Sequence, residues 1–215
     1  MRDKSKLSAE QSKLEKTFLE KGFDLFSSRS IESVSMQDVA DASGHGIATL
    51  YRHFTTKAGF VVAMAEWQWA EFLKENRRRR PRADFEGMTA AEMFSFYLDS
   101  FLELYRKNKA LLRFTQFLNI YVQAEHIDPG TIESYRELIV PVAAFFHEMY
   151  ERAKRDHTLR TDSSEQEMLS ITLHLMLAAV TRYAVGLMYQ PEEGFDAEKE
   201  LETQREFLYS KYASL

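Results

Sequence analysis

Leu14, Phe18, Leu25 and Phe26, with Gly22 between them, recur at three- and four-residue steps, the spacing of one helix face. The pattern predicts an amphipathic helix over residues 9–27. Ser35 is placed to cap a short helix whose apolar face is Met36, Val39 and Ala40, and Ser43-Gly44 ends that helix. A second short helix is expected over 47–54. Thr55 or Thr56 caps a longer one over 57–80, which stops before Pro81. Beyond it, Thr89-Ala-Ala-Glu92 is a capping box opening a helix over 90–107, and an apolar-rich helix covers 109–124. Asp128-Pro129 opens a helix that reaches residue 156 with a kink near Pro141. Ser164 with Glu167 opens a helix over 165–189, residues 191–194 form a loop after Pro191, and Asp196 caps a last helix ending at 212. No segment of useful length alternates with the period of a strand, so the fold class is all-α.

Two short helices joined by a tight turn, packed on a preceding longer helix, form a rigid tripod from which the last helix can enter a major groove. Residues 35–54 have that arrangement. Val39, Ala40, Leu50 and Phe54 are assigned to the core, and Ala40 is small enough to let the two helices approach. Ile47, Thr49, Tyr51, Arg52 and His53 remain for the outward side. Tyr51 and Thr49 offer hydroxyls, Arg52 and His53 offer donors, and Ile47 offers apolar contact such as a thymine methyl would take. Lys57 joins a cation to the free N–H groups of a helix start, a suitable phosphate anchor. Ser35, Gln37, His45 and Gly46 complete the candidate DNA contacts. His45 has two readings, packing at the turn or a hydrogen bond to a phosphate. The bland alternative for the segment is a helical hairpin in a bundle.

Composition narrows the classes. With 45% hydrophobic and 13% aromatic residues in 215, the chain can bury a substantial core. The absence of cysteine excludes disulfides, thiolate metal sites and cysteine nucleophiles. A net charge of -5 hides an asymmetry: residues 1–80 carry 14 Lys and Arg against 11 Asp and Glu, the remainder 14 against 22. Phosphate attraction acts over about a Debye length, so a slightly basic head on an acidic body can still bind DNA. Residues 1–14 lack the apolar core of a secretory signal, and a cytoplasmic location is expected. The apolar stretch 168–188 is interrupted by Ser170, Thr172, His174, Thr181 and Arg182, so it is read as a helix buried in protein, with no membrane partner. The run Arg77 to Arg80 is read as a solvated helix end favoured by the dipole, the alternative being a basic patch.

Phe23-Asp-Leu-Phe26, Ser35-Met-Gln-Asp-Val-Ala40, Ser43-Gly44, Thr49-Leu-Tyr-Arg-His-Phe54 and Lys57 together give the segment from about Phe18 to Val61 a specific pattern. It resembles the tetracycline-repressor family of regulators. The resemblance implies about nine helices, an N-terminal three-helix helix-turn-helix domain (1–56) and a C-terminal helical ligand-binding and dimerisation domain (57–215, with 57–80 as connecting helix). Departures stand at His45, where an aliphatic residue is common, at Gly46, where Ser or Thr caps, at Ile47, often polar, and at Ser30, often glycine. They leave the operator sequence unspecified.

Rings crowd the C-terminal domain at helical spacing, and most are core. With a few polar side chains among them they would also suit an apolar pocket; the candidate ligand-binding residues are Phe94, Tyr97, Phe101, Phe117, Tyr121, Phe145, His147, Tyr150 and His174. The histidines show no metal spacing, no catalytic constellation or cofactor motif is present, and neither an enzyme, a metal nor a cofactor is expected. Segment 165–189 is apolar almost all round, more than one core needs. Leu173, Leu177, Val180 and Leu187, with Leu201, Phe207 and Leu208 from the last helix, are therefore expected to form a two-fold interface in a homodimer, as the resemblance also implies. The function expected is a DNA-binding regulator, a repressor released from a palindromic operator by an apolar or aromatic small molecule. The alternatives are a ligand-independent architectural DNA-binding protein and a helical small-molecule-binding module without DNA binding.

Overall fold

The computed structural model of the chain describes residues 4–79, 82–187, 189 and 194–214. Among them are ten α-helices and no strand: α1 (Lys4–Ser28), α2 (Met36–Ser43), α3 (Ile47–His53), α4 (Lys57–Arg79), α5 (Ala90–Lys107), α6 (Lys109–Ala124), α7 (Glu133–Glu137), α8 (Val140–Asp156), α9 (Glu165–Val185) and α10 (Ala197–Tyr212), with short 3-10 turns at Arg82–Phe85 and Pro129–Ile132. The all-α expectation holds, and the expected nine helices become ten because one splits. Pro141 has no N–H to give and disfavours helix just before it. The segment therefore breaks between α7 and α8, with Pro141 in the first turn of α8, instead of kinking. Arg80, Pro81 and the loop at Pro191 lie outside the described residues.

The caps explain where the helices start. Thr56 Oγ1 accepts from Gly59 N at 3.0 Å and Thr89 makes the full capping box with Glu92. Ser164 accepts from Glu167 N, and Asp196 from Glu198 N and Lys199 N. Each meets N–H groups that a helix start leaves unpaired.

The chain forms two compact units, Met1–Glu71 with Arg113–Glu137, and Phe72–Leu112 with Leu138–Leu215. In the first, Phe18, Phe26, Leu50, Phe60, Met64 and Phe114 are fully buried. Gly22 on α1 lets α4 come close: a Cβ there would stand 2.5 Å from Met64 Cε and 2.6 Å from Phe60 Cζ. The returning segment is part of this packing. Phe114 meets Phe23 edge-on, Arg113 Nε donates to Ser27 O at 3.2 Å, and Trp69 Nε1 donates to Thr115 Oγ1 at 3.2 Å.

In the second unit α5 packs on α8, α9 and α10. Its start is held from a distance in sequence. Ala90 N donates to the Asp156 carboxylate at 2.7 Å, Ala91 N donates to Thr158 Oγ1 at 3.0 Å, and Arg152 donates to the carbonyls of Phe85 and Met88. Burial pushes the Asp156 carboxyl up, but the N–H groups of Thr158 and Ala90 and the Thr158 hydroxyl outweigh it and hold it below the usual carboxylate range. A carboxylate with a depressed folded value contributes stability above its unfolded value and loses it as pH falls through the folded one. Asp156→Asn is therefore expected to lower stability by about 1–2 kcal/mol at neutral pH. Urea unfolding followed from pH 7 downward should show the two curves converging at acid pH; a constant gap would refute the assignment.

Helix α9 is long and apolar enough by length and composition to cross a membrane, with a third of the tested window buried. Its buried side is Met168, Thr172, Met176, Val180, Thr181 and Ala184. Ile171, Leu175, Ala178 and Val185 recur at three-, four- and seven-residue steps on another side, with Leu175 54% and Val185 41% exposed. One helix thus carries a core face and an uncovered apolar stripe. The end of α10 is fixed by an antiparallel bridge of Leu159 to Ala213, with Arg160 N donating to Tyr212 O at 2.7 Å.

Candidate nucleic-acid interface

Helix α2 is set by its two ends. Ser35 Oγ accepts from Asp38 N while the Asp38 carboxylate accepts from Ser35 N at 2.7 Å, a reciprocal capping box. The Ser35 hydrogen bonds hold the Asp38 carboxyl below its ordinary range. At the other end Gly44 is left-handed, φ 71°, with Gly44 N donating to Asp41 O and His45 N to Ala40 O, both at 3.1 Å. This is the Schellman pattern, which needs glycine for its positive φ and turns the chain sharply. Gly46 then starts α3 with no side-chain cap.

The turn presents a seven-residue helix with one buried residue, Leu50. Ala48, Tyr51 and Arg52 are exposed, Tyr51 by 43%, and Ile47 and Thr49 are half-buried. Arg52 Nη2 donates to Thr49 Oγ1 at 3.0 Å, which holds the guanidinium along the helix and leaves its other donors available. Gln37 on α2 is exposed, with its amide donating to Asp41 at 2.7 Å.

Two histidines separate here. His53 was expected outward, but it points back to α1: Nδ1 is 2.9 Å from Glu15 Oε1, the ring is 6.0 Å from Phe18, and the side chain is 14% exposed. The reason is position. It is the third residue after Leu50, so it shares Leu50's side of the helix. His45 is exposed, and its ring meets Phe18 edge-on at 5.6 Å, which favours the packing reading over the phosphate one. Phe18 thus sits under both rings. Lys57, at the start of α4, holds Nζ 5.8 Å from the Phe26 ring centre and 5.9 Å from that of Tyr121. Burial pushes its ammonium down while the charges of Glu32, Glu125 and Asp38 oppose the shift.

The candidate ligand residues differ in burial and belong to both compact units. His147 and His174 are exposed, His147 paired with Glu165 and His174 beside Ser170, so neither is a buried polar anchor. Phe117 and Tyr121 belong to the first compact unit and the other seven to the second. Within the second, Phe94, Tyr97, Phe101 and Tyr150 are buried, and Tyr97 meets Phe101 and Phe146 edge-on at 5.3 and 5.4 Å. Phe145 is half-buried, edge-on to Phe85 at 5.2 Å. Tyr150 donates to Ser163 O at 2.6 Å. The Tyr97 hydroxyl is buried beside that of Thr172 short of a well-formed hydrogen bond, and burial raises its pKa while Thr172 opposes the shift.

The residues expected at a two-fold interface differ in burial. Val180, Leu201 and Leu208 are buried within the chain and cannot be its surplus surface, and Leu173, Leu177 and Leu187 are half-buried. Phe207, 72% exposed on α10, and Leu175, Ala178 and Val185 on α9 are exposed, with Ile171 half-buried beside them. The sequence showed a helix apolar on every side, and only packing says which side is spare.

Residues 18–64 match the bacterial regulatory proteins, tetR family. No curated protein matches the sequence. Among solved structures the fold is shared with a protein from Saccharomonospora viridis in complex with choline (16% identity, TM-score 0.72, covering 95% of this chain and 100% of that one). It is shared also with the transcriptional regulator FadR from Bacillus subtilis in complex with stearoyl-CoA (11%, 0.69, 90% and 97%) and the ketosteroid transcriptional regulator KstR2 of Mycobacterium tuberculosis (13%, 0.65, 94% and 95%). The helix-turn-helix segment, residues 18–64, is thus similar to the bacterial regulatory proteins of the tetR family, and the chain shares its all-helical fold with these solved transcriptional regulators.

Proposed function

We propose that the protein is a homodimeric repressor that binds a palindromic operator through α3 and leaves it when a small molecule binds the C-terminal helices. The observation that carries the reading is the exposed edge of α3, Tyr51 and Arg52 with the half-buried Thr49 beside them, held out by the Gly44 turn. Ser35, Gln37, His45, Gly46 and Ile47 border that edge, and Lys57 supplies a cation at the start of α4. His53 is withdrawn from the set. The division at residue 56 is then one of labour, DNA contact in 1–56 and effector binding and pairing in 57–215. Selection of genomic fragments by the purified protein tests it: the expected result is enrichment of inverted repeats, with affinity falling steeply as salt rises. Recovery of no repeat, or binding indifferent to salt, would overturn it.

The choline and stearoyl-CoA of two similar folds support a small-molecule effector, and the acyl chain of the second supports an apolar one. The Tyr97 ring cluster is the apolar wall and its poorly satisfied hydroxyl the polar point that such a ligand would engage.

For pairing, the reading uses Phe207 and the stripe on α9. Charge at the centre of an apolar interface costs about 2 kcal/mol or more, so Phe207→Glu is expected to raise the dimer dissociation constant about 30-fold or more. Because Phe207 is exposed in the single chain, its fold should persist by circular dichroism. Sedimentation showing an unchanged dimer would remove Phe207 from the interface.

A further inference from the structure

His147 and Glu151 stand one turn apart on α8, and Glu165 reaches them from the first turn of α9. One donor atom from each lies within 4.8 Å of the others, with His147 Nδ1 2.9 Å from Glu165 Oε2. The frame beneath them is fixed. Tyr150, on the same helix, donates its hydroxyl to Ser163 O at 2.6 Å, and Ser164 caps α9, so the backbone carrying Glu165 is tied to the helix carrying His147. An ion with bonds of about 2.0–2.2 Å needs donors about 3.4 Å apart, close to the separations already present. Lys154 bonds Glu151, with its ammonium also 5.2 Å from the centre of the Tyr150 ring, and the charge of Arg155 acts on Glu151 as well. A dication would neutralise both carboxylates and let Lys154 rest on the ring.

We propose that His147, Glu151 and Glu165 form a binding site for one divalent transition-metal ion that clips α8 to α9 within the second compact unit. The imidazole favours zinc, nickel or cobalt over magnesium and calcium, and water completes the coordination. Histidine pairs at ligand spacing are missing from the sequence, whereas this set takes one histidine and a carboxylate one turn on, with its third member 14 residues beyond.

The test is titration of the full-length protein with Zn(II), read by calorimetry and by thermal unfolding. One ion per protomer is expected, with a rise of about 3–6 °C in Tm at a tenfold excess over the dissociation constant, and no rise with Mg(II) at the same concentration. His147→Ala and Glu165→Gln are expected to weaken binding about tenfold or more, and Lys154→Ala to tighten it. All three change exposed or half-exposed side chains, so their unliganded Tm values should stay close to that of the parent. No Zn(II)-dependent shift, or equal binding by His147→Ala, would overturn the site.

Discussion

Replacing Tyr51 and Arg52 together by alanine is expected to weaken binding to a selected operator fragment by about 100-fold, with the melting temperature almost unchanged. Both side chains are exposed on α3, where substitutions typically move stability by about 0.5 kcal/mol or less. A good base contact is worth about 1–3 kcal/mol, so two lost contacts amount to roughly two decades in affinity. Arg52 also carries charge. The slope of log affinity against log salt should fall by about one unit if it touches a phosphate and stay nearly constant if it reads a base edge. Fluorescence anisotropy across a salt series reads both quantities. His53→Ala is the control: its ring is spent on Glu15 and Phe18, so it should lower stability more than operator discrimination. A double variant that binds as tightly as the parent would end the assignment of α3 as the reading helix.

The second large effect is expected at Phe18. Its ring is fully buried and lies beneath His45 at the turn and His53 at the end of α3. Phe18→Ala removes that support and leaves a cavity, at a cost of about 3–5 kcal/mol. The loss should be local. The second unit has its own core in Phe94, Leu98, Phe146, Met149 and Met176. Hydrogen exchange is therefore expected to quicken across α1 to α3 and to stay slow in α5 and α9. Equal loss of protection in both would show that the ring's role is not confined to the head.

What was legible in the sequence was whatever local chemistry decides. Ser35, Thr89, Ser164 and Asp196 announce helix starts because the cap lies within three residues of the N–H groups it serves, and Gly44 announces the turn because few other residues accept its φ. The head was legible for the same reason, as a run of short-range rules in one segment. The side of His53 was legible, three residues after the buried Leu50, whereas its partners Glu15 and Phe18, more than thirty residues away, were not. Val180, Leu201 and Leu208 were misplaced because periodicity finds an apolar face but cannot say whether it meets its own chain or another. The hold of Asp156 and Arg152 on the start of α5 spans more than sixty residues and left no local mark.

The first unit is assembled from two stretches of chain, residues 1–71 and 113–137, and this orders its birth on the ribosome. Phe23, Lys57 and Trp69 are translated well before Phe114, Tyr121 and Thr115, their partners. At cellular elongation rates the head therefore waits about 3–13 seconds with one flank bare. A fragment cut at residue 56 would leave that flank bare for good, so the smallest piece able to hold DNA should carry the returning segment too.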